Sequence, residues 1–220
     1  MTMTTAAPTV TAAPAIVIPL TADLTAAFRA VLPFTSKDDV TPIIGAVKVT
    51  HRYLIATDRY AIARYEHTTY DESVERHGEE GPSEPDFAVL IPRDVAEWIG
   101  KHKPTSGQTL TVTAETVTIG WTDSIESSRV LVPVGGNYPP VERLITDASA
   151  EDVEISPFAI GTDRLDQLVK AGKALARVVG KNAGWRFQLP ASTGTRKCPP
   201  IRATLGERMV TMIQPMLNVR

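Results

Sequence analysis

Few residues in this chain could carry catalysis or bind a metal. The histidines are His51, His67, His77 and His102. No two of them have the i, i+4 spacing of a helical metal site, and the motifs HExxH, GxSxG, GxGxxG and GxxxxGKS/T do not occur in the sequence. The single cysteine, Cys198, has no neighbour in sequence that would activate its thiol. The sequence therefore predicts a protein with no enzymatic activity, no metal and no cofactor.

Charge and composition narrow the class of protein further. The chain has 220 residues and a formal net charge of −2, which argues against a basic coat but leaves room for one basic face. A single cysteine excludes a disulfide framework and a cysteine-based zinc site, as expected in a reducing cytoplasm. No apolar run is long enough to span a membrane. Residues 1–14 are predicted to be a disordered tail rather than a signal peptide.

A basic stripe is predicted on the longest helix, at 162–181. Its cations are Lys170, Lys173, Arg177 and Lys181. Their spacing by three and four residues puts them on one side of a helix, and no acid lies between the first and the last. The opposite side is predicted to face inward and consists of Leu165, Leu168, Val169, Leu175, Val178 and Val179.

Two earlier predicted helices extend this pattern. The helix at 21–34 carries Arg29, with Lys37 just beyond it, and the helix at 92–104 carries Arg93, Lys101 and Lys103. The acids concentrate instead at 66–86, where eight acids stand against one arginine. Any one of these helices is equally well explained as a solvated surface. The three helices taken together carry the cations, and the acids lie elsewhere. This segregation of charge favours helices that contact a phosphate backbone without reading bases.

A strand–helix–strands repeat, found three times, would position these helices. The first repeat has a strand at 15–20, a helix at 21–34 and strands at 43–50, 52–58 and 60–67. The second has a strand at 87–92, a helix at 92–104, a hairpin at 109–123 and a strand at 124–134. The third has a strand at 152–161, a helix at 162–181 and strands at 185–191, 198–206 and 208–217. The predicted connections are 66–86 and 135–145, and the predicted hairpin tip is Thr57-Asp58-Arg59-Tyr60.

An amphipathic helix can bury its apolar side only against a sheet or another helix. Two adjacent repeats are therefore expected to pair into one α+β domain, with the helices side by side on one face of antiparallel sheets. The predicted organisation is a complete domain at 15–146 and a half domain at 147–220. On this reasoning the third repeat lacks a partner within the chain.

Five blocks of the sequence resemble, in the same order, blocks of the bacterial DNA polymerase III beta sliding clamps. The blocks are SKDDVTPIIGAV at 36–47, ATDRYAIA at 56–63, LIPR at 90–93, NYPPVERLI at 137–145 and MIQPML at 212–217. Their order matches the middle domain of that family followed by the second half of its last domain. The first domain and the first half of the last domain have no counterpart.

The resemblance implies a DNA-clamp fold of repeated strand–helix–strands units and a non-enzymatic role as a replication processivity factor. It implies that Lys170, Lys173, Arg177 and Lys181 touch double-stranded DNA loosely and without sequence specificity. Arg29, Lys37, Arg93, Lys101 and Lys103 are predicted to bind DNA from the segregation of charge. The implied protein partners are a DNA polymerase, the clamp loader and other replication or repair proteins. The family's ring holds twelve such units, so four chains with three units each would supply a ring as a homo-oligomer. The compact clamps of phages and other mobile elements offer a context for so short a chain.

The resemblance also implies an apolar pocket for a short linear peptide of partner proteins. Carried over position by position, its residues are Thr41, Ile44, Thr57, Tyr60, Ile62, Met212, Gln214, Pro215 and Met216. The chain departs from the family pattern at Arg59, where the family has glycine, at Ala61, where it has arginine, and at Gln214, where it has methionine. We therefore expect a different peptide preference.

Two other functions compete with a sliding clamp. A clamp-derived interaction module or regulator would keep the peptide pocket and bind replication proteins without encircling DNA. A small α+β enzyme would need a catalytic constellation, and the sequence shows none.

Overall fold

The computed structural model describes residues 14–38, 41–67, 87–134, 136–146, 160–180, 183–188 and 200–215. The helices are α1 (Ala22–Val31), α2 (Arg93–Lys101), α3 (Val141–Thr146) and α4 (Thr162–Val179), with short 3-10 turns at Leu32–Phe34 and Pro42–Gly45. The strands of the first repeat are β1 (Ala15–Pro19), β2 (Val47–Val49), β3 (Tyr53–Thr57) and β4 (Ala61–Glu66). Those of the second are β5 (Val89–Ile91), β6 (Thr109–Thr113), β7 (Thr116–Trp121) and β8 (Ser124–Val130). Those of the third are β9 (Arg186–Gln188), β10 (Ile201–Leu205) and β11 (Met209–Ile213).

These strands form two antiparallel sheets. One has four strands in the order β1-β6-β7-β8, and the other has seven in the order β5-β2-β3-β4-β11-β10-β9. The first strand of each of the first two repeats crosses to the sheet of the other, because β1 pairs with β6 and β5 pairs with β2. This exchange ties the two repeats into one unit.

Helix α1 lies at the centre of the helix layer. It packs against α2 on one flank and α4 on the other. Ala26, Ala27, Ala30 and Phe28 are accordingly buried, and only Ala22, Asp23 and Arg29 are exposed along it. The helix begins at Thr21, whose Oγ1 accepts a hydrogen bond of 3.1 Å from the backbone N–H of Leu24. The α+β class and the side-by-side helices agree with the sequence prediction.

The third repeat does have a partner within the chain, and the opposite expectation is wrong. Strand β11 pairs with β4, which continues the sheet of the first repeat into the third. Residues Leu168, Ala171 and Leu175 of α4 belong to the same hydrophobic core as α1. The reason is that α1 has two apolar flanks, so it buries the helix of the second repeat on one and that of the third on the other.

Three local expectations also need correction. Leu165 and Val169 of α4, predicted to face inward, are 44% and 50% exposed. The predicted connection 135–145 contains helix α3. The predicted strand 43–50 begins as a 3-10 turn and becomes extended only at Val47.

Several predictions fall outside the described residues. These are the disordered tail at 1–13, most of the acidic connection 66–86 and most of the strand predicted at 152–161. Within the described ranges, no helix is both long and apolar enough to cross a membrane. The same ranges hold no group of three or more His, Cys, Asp or Glu side chains placed to bind a metal ion.

Candidate nucleic-acid face and peptide site

The turn between β3 and β4 is the hairpin tip that the sequence predicts. Asp58 closes it, because its Oδ1 accepts backbone hydrogen bonds of 3.1 Å from Tyr60 and 2.9 Å from Ala61. Arg59 has a φ of 79°, in the left-handed region that favours glycine. This is the position where the clamp family has glycine, so the chain keeps the turn with a less suitable residue.

Two side chains near the start of helix α4 bind the β3–β4 turn. The guanidinium of Arg164 donates to Asp58 Oδ2, and both side chains are about 15% exposed. Gln167 Nε2 donates to the same oxygen at 2.9 Å and to the carbonyl of Pro33 at 3.0 Å. The guanidinium also lies 5.3 Å from the centre of the Tyr60 ring. Sequence analysis missed Arg164, because no local pattern pairs it with a turn so far away in the chain.

A cleft of about 810 Å³, lined by many charged residues, opens between α1, α2 and α4. Its basic lining residues are Arg29, Lys37, Arg93, Lys101, Arg164 and Lys170. Its acidic lining residues are Asp38, Asp58, Glu97, Asp163 and Asp166. Five of the nine predicted DNA-binding residues thus surround one cleft on the helix layer, but acids stand among them.

Some of these cations already have partners. Lys101 Nζ lies 2.9 Å from Glu97, whose pKa is lowered mainly by the hydrogen bond from that lysine. Lys170 Nζ lies 2.6 Å from Asp166. Arg93 Nη1 donates to the carbonyl of Leu32 at 3.0 Å, so part of its guanidinium holds the turn after α1. These pairs reduce the positive potential at the mouth of the cleft.

Lys173 and Arg177 contribute the basic surface of α4 beyond the cleft. Both side chains are exposed, and neither has an ion pair within the described part of the chain. Lys103 is also exposed, after the end of α2. Lys181 lies outside the described residues.

Three predicted peptide-site residues stand in a row on the outer face of the large sheet. Thr57 faces Ile62 across β3 and β4, and Ile62 faces Met212 across β4 and β11. Ile62 and Met212 belong to a second apolar cluster, separate from the main core, together with Ile55 and Val210. The tertiary fold therefore joins the two distant stretches of sequence that the resemblance pairs.

Helix α3 and the residues before it cover this cluster. Val141 and Ile145 pack on it, and Tyr138 OH donates to the carbonyl of Ile55 at 3.3 Å. Burial, and then the nearby carboxylate of Glu142, raise the pKa of Tyr138. An ion pair between Lys48 and Glu142 ties α3 to β2. Sequence analysis missed these covering residues, although they lie in the NYPPVERLI block that it singled out.

The remaining predicted peptide-site residues that the structure describes lie outside this apolar cluster. Tyr60 is 60% exposed and lines the cleft with Arg164, and the backbone N–H of Gln214 donates to its carbonyl at 2.9 Å. Thr41 Oγ1 accepts a hydrogen bond from Arg59. Ile44 and Pro215 are buried. Met216 lies outside the described residues. Ile62 and Met212 are at most 8% exposed.

The exchanged first strands, the two antiparallel sheets and the helix layer on one side define the class of fold as a DNA clamp. Solved structures similar to the chain are DNA polymerase III beta subunits. That of Borrelia burgdorferi has a TM-score of 0.59 at 9% identity and covers 92% of this chain and 64% of its own. That of Pseudomonas aeruginosa has 0.58 at 14% identity, covering 95% and 68%. That of Thermotoga maritima has 0.56 at 9% identity, covering 94% and 65%.

These similarities confirm the predicted resemblance to sliding clamps at the level of the fold. The chain spans only part of the length of these clamp chains. It covers 64% of the Borrelia burgdorferi chain, 65% of the Thermotoga maritima chain and 68% of the Pseudomonas aeruginosa chain. No protein-family model matches the sequence, and no curated protein matches it either.

Proposed function

We propose that this protein is a sliding clamp, or a clamp-like processivity factor, that tracks duplex DNA without sequence specificity and tethers a DNA polymerase. The observation that carries the proposal is a DNA-clamp fold in which exposed cations cluster on the helix layer. Lys173 and Arg177 lie there exposed and without an acidic partner among the described residues, in a chain whose formal net charge is −2. In this role the protein has no catalytic activity of its own.

The DNA contact would be loose. Arg29 of α1, Lys37 in the segment after it and Lys101 of α2 are exposed on the helix layer together with the α4 cations. Cations on flexible side chains attract phosphates without fixing register along the duplex. Contacts from Arg93, Lys103 and Lys181 stay predictions of the same kind.

The polymerase contact would use the corner formed by the β3–β4 turn and the end of β11, with the buried pair Ile62 and Met212 as its base and Tyr60, Gln214 and Thr41 as its rim. An apolar peptide side chain fits such a site if α3 shifts, since α3 covers the pair with Val141 and Ile145. Clamp loader and repair proteins would compete for the same corner. The departures at Arg59, Ala61 and Gln214 lie on or beside this rim, so peptide preference would differ from that of the clamp family.

Encirclement requires several copies, so a homo-oligomeric ring belongs to the proposal. A cytoplasmic location and a phage-type origin, both expected from the sequence, stand as parts of the same proposal.

Retention on closed circular DNA, with or without a clamp loader, tests the DNA-tracking role. The double variant Lys173→Glu, Arg177→Glu should lose retention, and its log–log salt dependence should flatten by roughly 0.9 for each phosphate contact removed. Arg143→Glu is the matched control, because Arg143 is exposed on α3, on the other side of the large sheet. Equal retention by the double variant and the control would overturn this role.

The same protein variants distinguish a sliding clamp from the alternative function, an interaction module that does not encircle DNA. Binding of a fluorescent clamp-binding peptide should survive Lys173→Glu, Arg177→Glu and be weakened by Tyr60→Ala. A protein that binds the peptide but is never retained on circular DNA would instead be an interaction module or regulator of replication proteins.

A further inference from the structure

Two rows of side chains cross the outer face of the large sheet, the face that α3 partly covers. On β3, β4, β11, β10 and β9 in turn, the first row consists of Thr57, Ile62, Met212, Arg202 and Gln188. On the same strands, the second row consists of Ile55, Arg64, Val210, Thr204 and Arg186. Paired residues, and residues two apart along a strand, share one face of a sheet. The apolar corner of the candidate peptide site therefore continues, on the same face, into basic residues.

Arg64, Arg186 and Arg202 are called the cationic strip below. None of them has an acidic partner within the described part of the chain. Arg202 Nη1 donates to the neutral side chain of Gln188 at 3.1 Å, and its Nε has no hydrogen-bond partner among the described residues. Arg186 and Arg202 are diagonal neighbours on β9 and β10, a separation of about 7–8 Å, so their charges repel. Cations that repel each other and lack carboxylates indicate a place for an anionic group.

The acids around this face do not neutralise the strip. Each of those in the described residues has another cation beside it: Glu66 is paired with Arg52, Glu142 with Lys48, and Glu207 is followed by Arg208 in the turn after β10. Arg143 on α3 adds one more exposed cation. The outer face therefore has an excess of positive charge, although the formal net charge of the chain is −2.

The surroundings of the strip favour a polypeptide over a single-stranded nucleic acid. Binding of single strands relies on aromatic rings on which bases can stack. The Tyr53 ring beside the strip is already in contact with two guanidinium groups, since those of Arg52 and Arg64 lie 5.3 Å and 4.5 Å from its centre. On its other side the strip borders apolar side chains, because Arg202 stands opposite Met212 and Arg64 stands opposite Val210. Apolar and cationic positions side by side match a segment that carries apolar and acidic residues.

We propose that the partner peptide carries Asp or Glu residues next to its apolar residues, and that the cationic strip binds these acids while the apolar residues occupy the corner. The inference rests on the peptide-binding role proposed above and deepens it, because it assigns the charge of the partner segment. A guanidinium binds a carboxylate through two parallel hydrogen bonds. A carboxylate near Arg186 and Arg202 would also relieve the repulsion between them. Cations at the edge of a binding site speed up association and select among partners.

Two fluorescent peptides test the proposal on the full chain. They share one clamp-binding sequence and differ only in the residues that flank it, which are Glu and Asp in one peptide and Gln and Asn in the other. At low ionic strength the acidic peptide should bind about three- to tenfold more tightly, as a few exposed ion pairs would produce, and added salt should reduce the difference. Equal affinities would overturn the role of the strip and leave the corner in place. Failure of both peptides to bind would overturn the corner, and this inference with it.

Substitution of Arg186 locates the effect. This side chain is exposed on β9, an edge strand of the large sheet. Arg186→Glu should abolish the advantage of the acidic peptide and leave the affinity for the neutral peptide unchanged, whereas Arg186→Lys should keep most of the advantage. Arg129→Glu is the matched control, because Arg129 is an exposed arginine on β8, an edge strand of the small sheet. Equal loss of the advantage in Arg186→Glu and Arg129→Glu would mean that only the net charge of the chain matters, and would overturn the proposal.

Two further measurements address other occupants of the strip. A single-stranded oligothymidylate should not displace the acidic peptide at equal concentration. Displacement that Arg186→Glu abolishes and Arg129→Glu does not would assign the strip to nucleic acid and overturn the proposal.

The second measurement concerns the acidic stretch of the chain itself. Replacement of residues 70–84 by an uncharged Gly-Ser linker should change the affinities of the unaltered protein and of Arg186→Glu for the acidic peptide by the same factor. A gain confined to chains that keep Arg186 would assign the strip to that stretch, and would likewise overturn the proposal.

Discussion

Arg164 of α4 and Asp58 of the β3–β4 turn form an ion pair in which both side chains are about 15% exposed. The pair connects the helix that carries Lys173 and Arg177 to the turn that carries Tyr60. The Asp58 carboxylate therefore connects the candidate DNA face to the rim of the candidate peptide site. Gln167 shares that carboxylate, which leaves the turn little freedom to move independently of α4.

Loss of this ion pair should destabilise the protein clearly. Arg164→Met leaves the Asp58 carboxylate partly buried without its cation, and we expect the free energy of unfolding to fall by about 1–3 kcal/mol. Lys101→Met removes a surface ion pair whose side chains are 72% and 54% exposed, and should cost much less because solvent screens an exposed pair. Urea denaturation of both variants makes the comparison. Equal losses would show that the Arg164 contact adds nothing beyond an exposed pair.

The left-handed conformation of Arg59 predicts the effects of two substitutions. Arg59→Gly removes the backbone strain and should leave stability unchanged or raise it by up to about 1 kcal/mol, offset by the lost hydrogen bond to Thr41. Arg59→Val should lower stability by about 1–2 kcal/mol, because a β-branched residue tolerates this φ poorly. Thermal and urea unfolding measure both. A stabilising valine would contradict the assigned turn conformation.

Burial of His67 predicts an acid-dependent loss of stability. Burial lowers the pKa of His67 below its ordinary 6.5, and the side chain is 5% exposed. Below pH 6.5 the unfolded chain therefore binds a proton that the folded chain does not. Stability should fall with decreasing pH from there, by up to about 1.4 kcal/mol per pH unit, until the folded-state pKa is reached.

The variant His67→Gln isolates this contribution, since an amide can still donate to the carbonyl of Thr50 that His67 Nε2 contacts at 3.0 Å. Urea unfolding at a series of pH values should give a flatter dependence below pH 6.5 for the variant than for the unaltered protein. Parallel curves for the two proteins would mean that His67 titrates alike in the folded and unfolded states.

Gly120 allows β7 and β8 to approach closely at a bulge. A Cβ at this position would lie 2.2 Å from the carbonyl oxygen of Ser124, and the pairing register shifts between Ile119 and Gly120. Gly120→Ala should therefore lower the free energy of unfolding by about 1–3 kcal/mol and weaken protection of β8 amides from hydrogen exchange. Gly184→Ala is the matched control, because a Cβ there has no neighbour within 4 Å.

Local patterns in the sequence were sufficient for most individual elements. Alternation of apolar residues on either side of Thr57–Tyr60 predicted the hairpin, because the side chains of a strand point alternately to two faces. Helical spacing correctly predicted α1, α2 and α4. It was wrong about Leu165 and Val169, since periodicity identifies an apolar stripe on a helix but not which neighbour covers it. Helix α3 escaped notice because it is short and follows Pro139-Pro140, which indicates a connection.

The sequence by itself determined the α+β class, the three repeats, the basic side of the long helix and the resemblance to sliding clamps. These depend on contacts between near neighbours in the chain and on motifs that can be read in order. The resemblance already placed Ile62 and Met212 in one pocket, and the tertiary structure added that their strands pair. Only the tertiary structure decided that Arg164 holds Asp58 and that α4 packs on α1 while Leu165 and Val169 stay exposed. Such contacts join residues far apart in the chain, and their choice depends on how whole sheets and helices bury one another. No local periodicity records that.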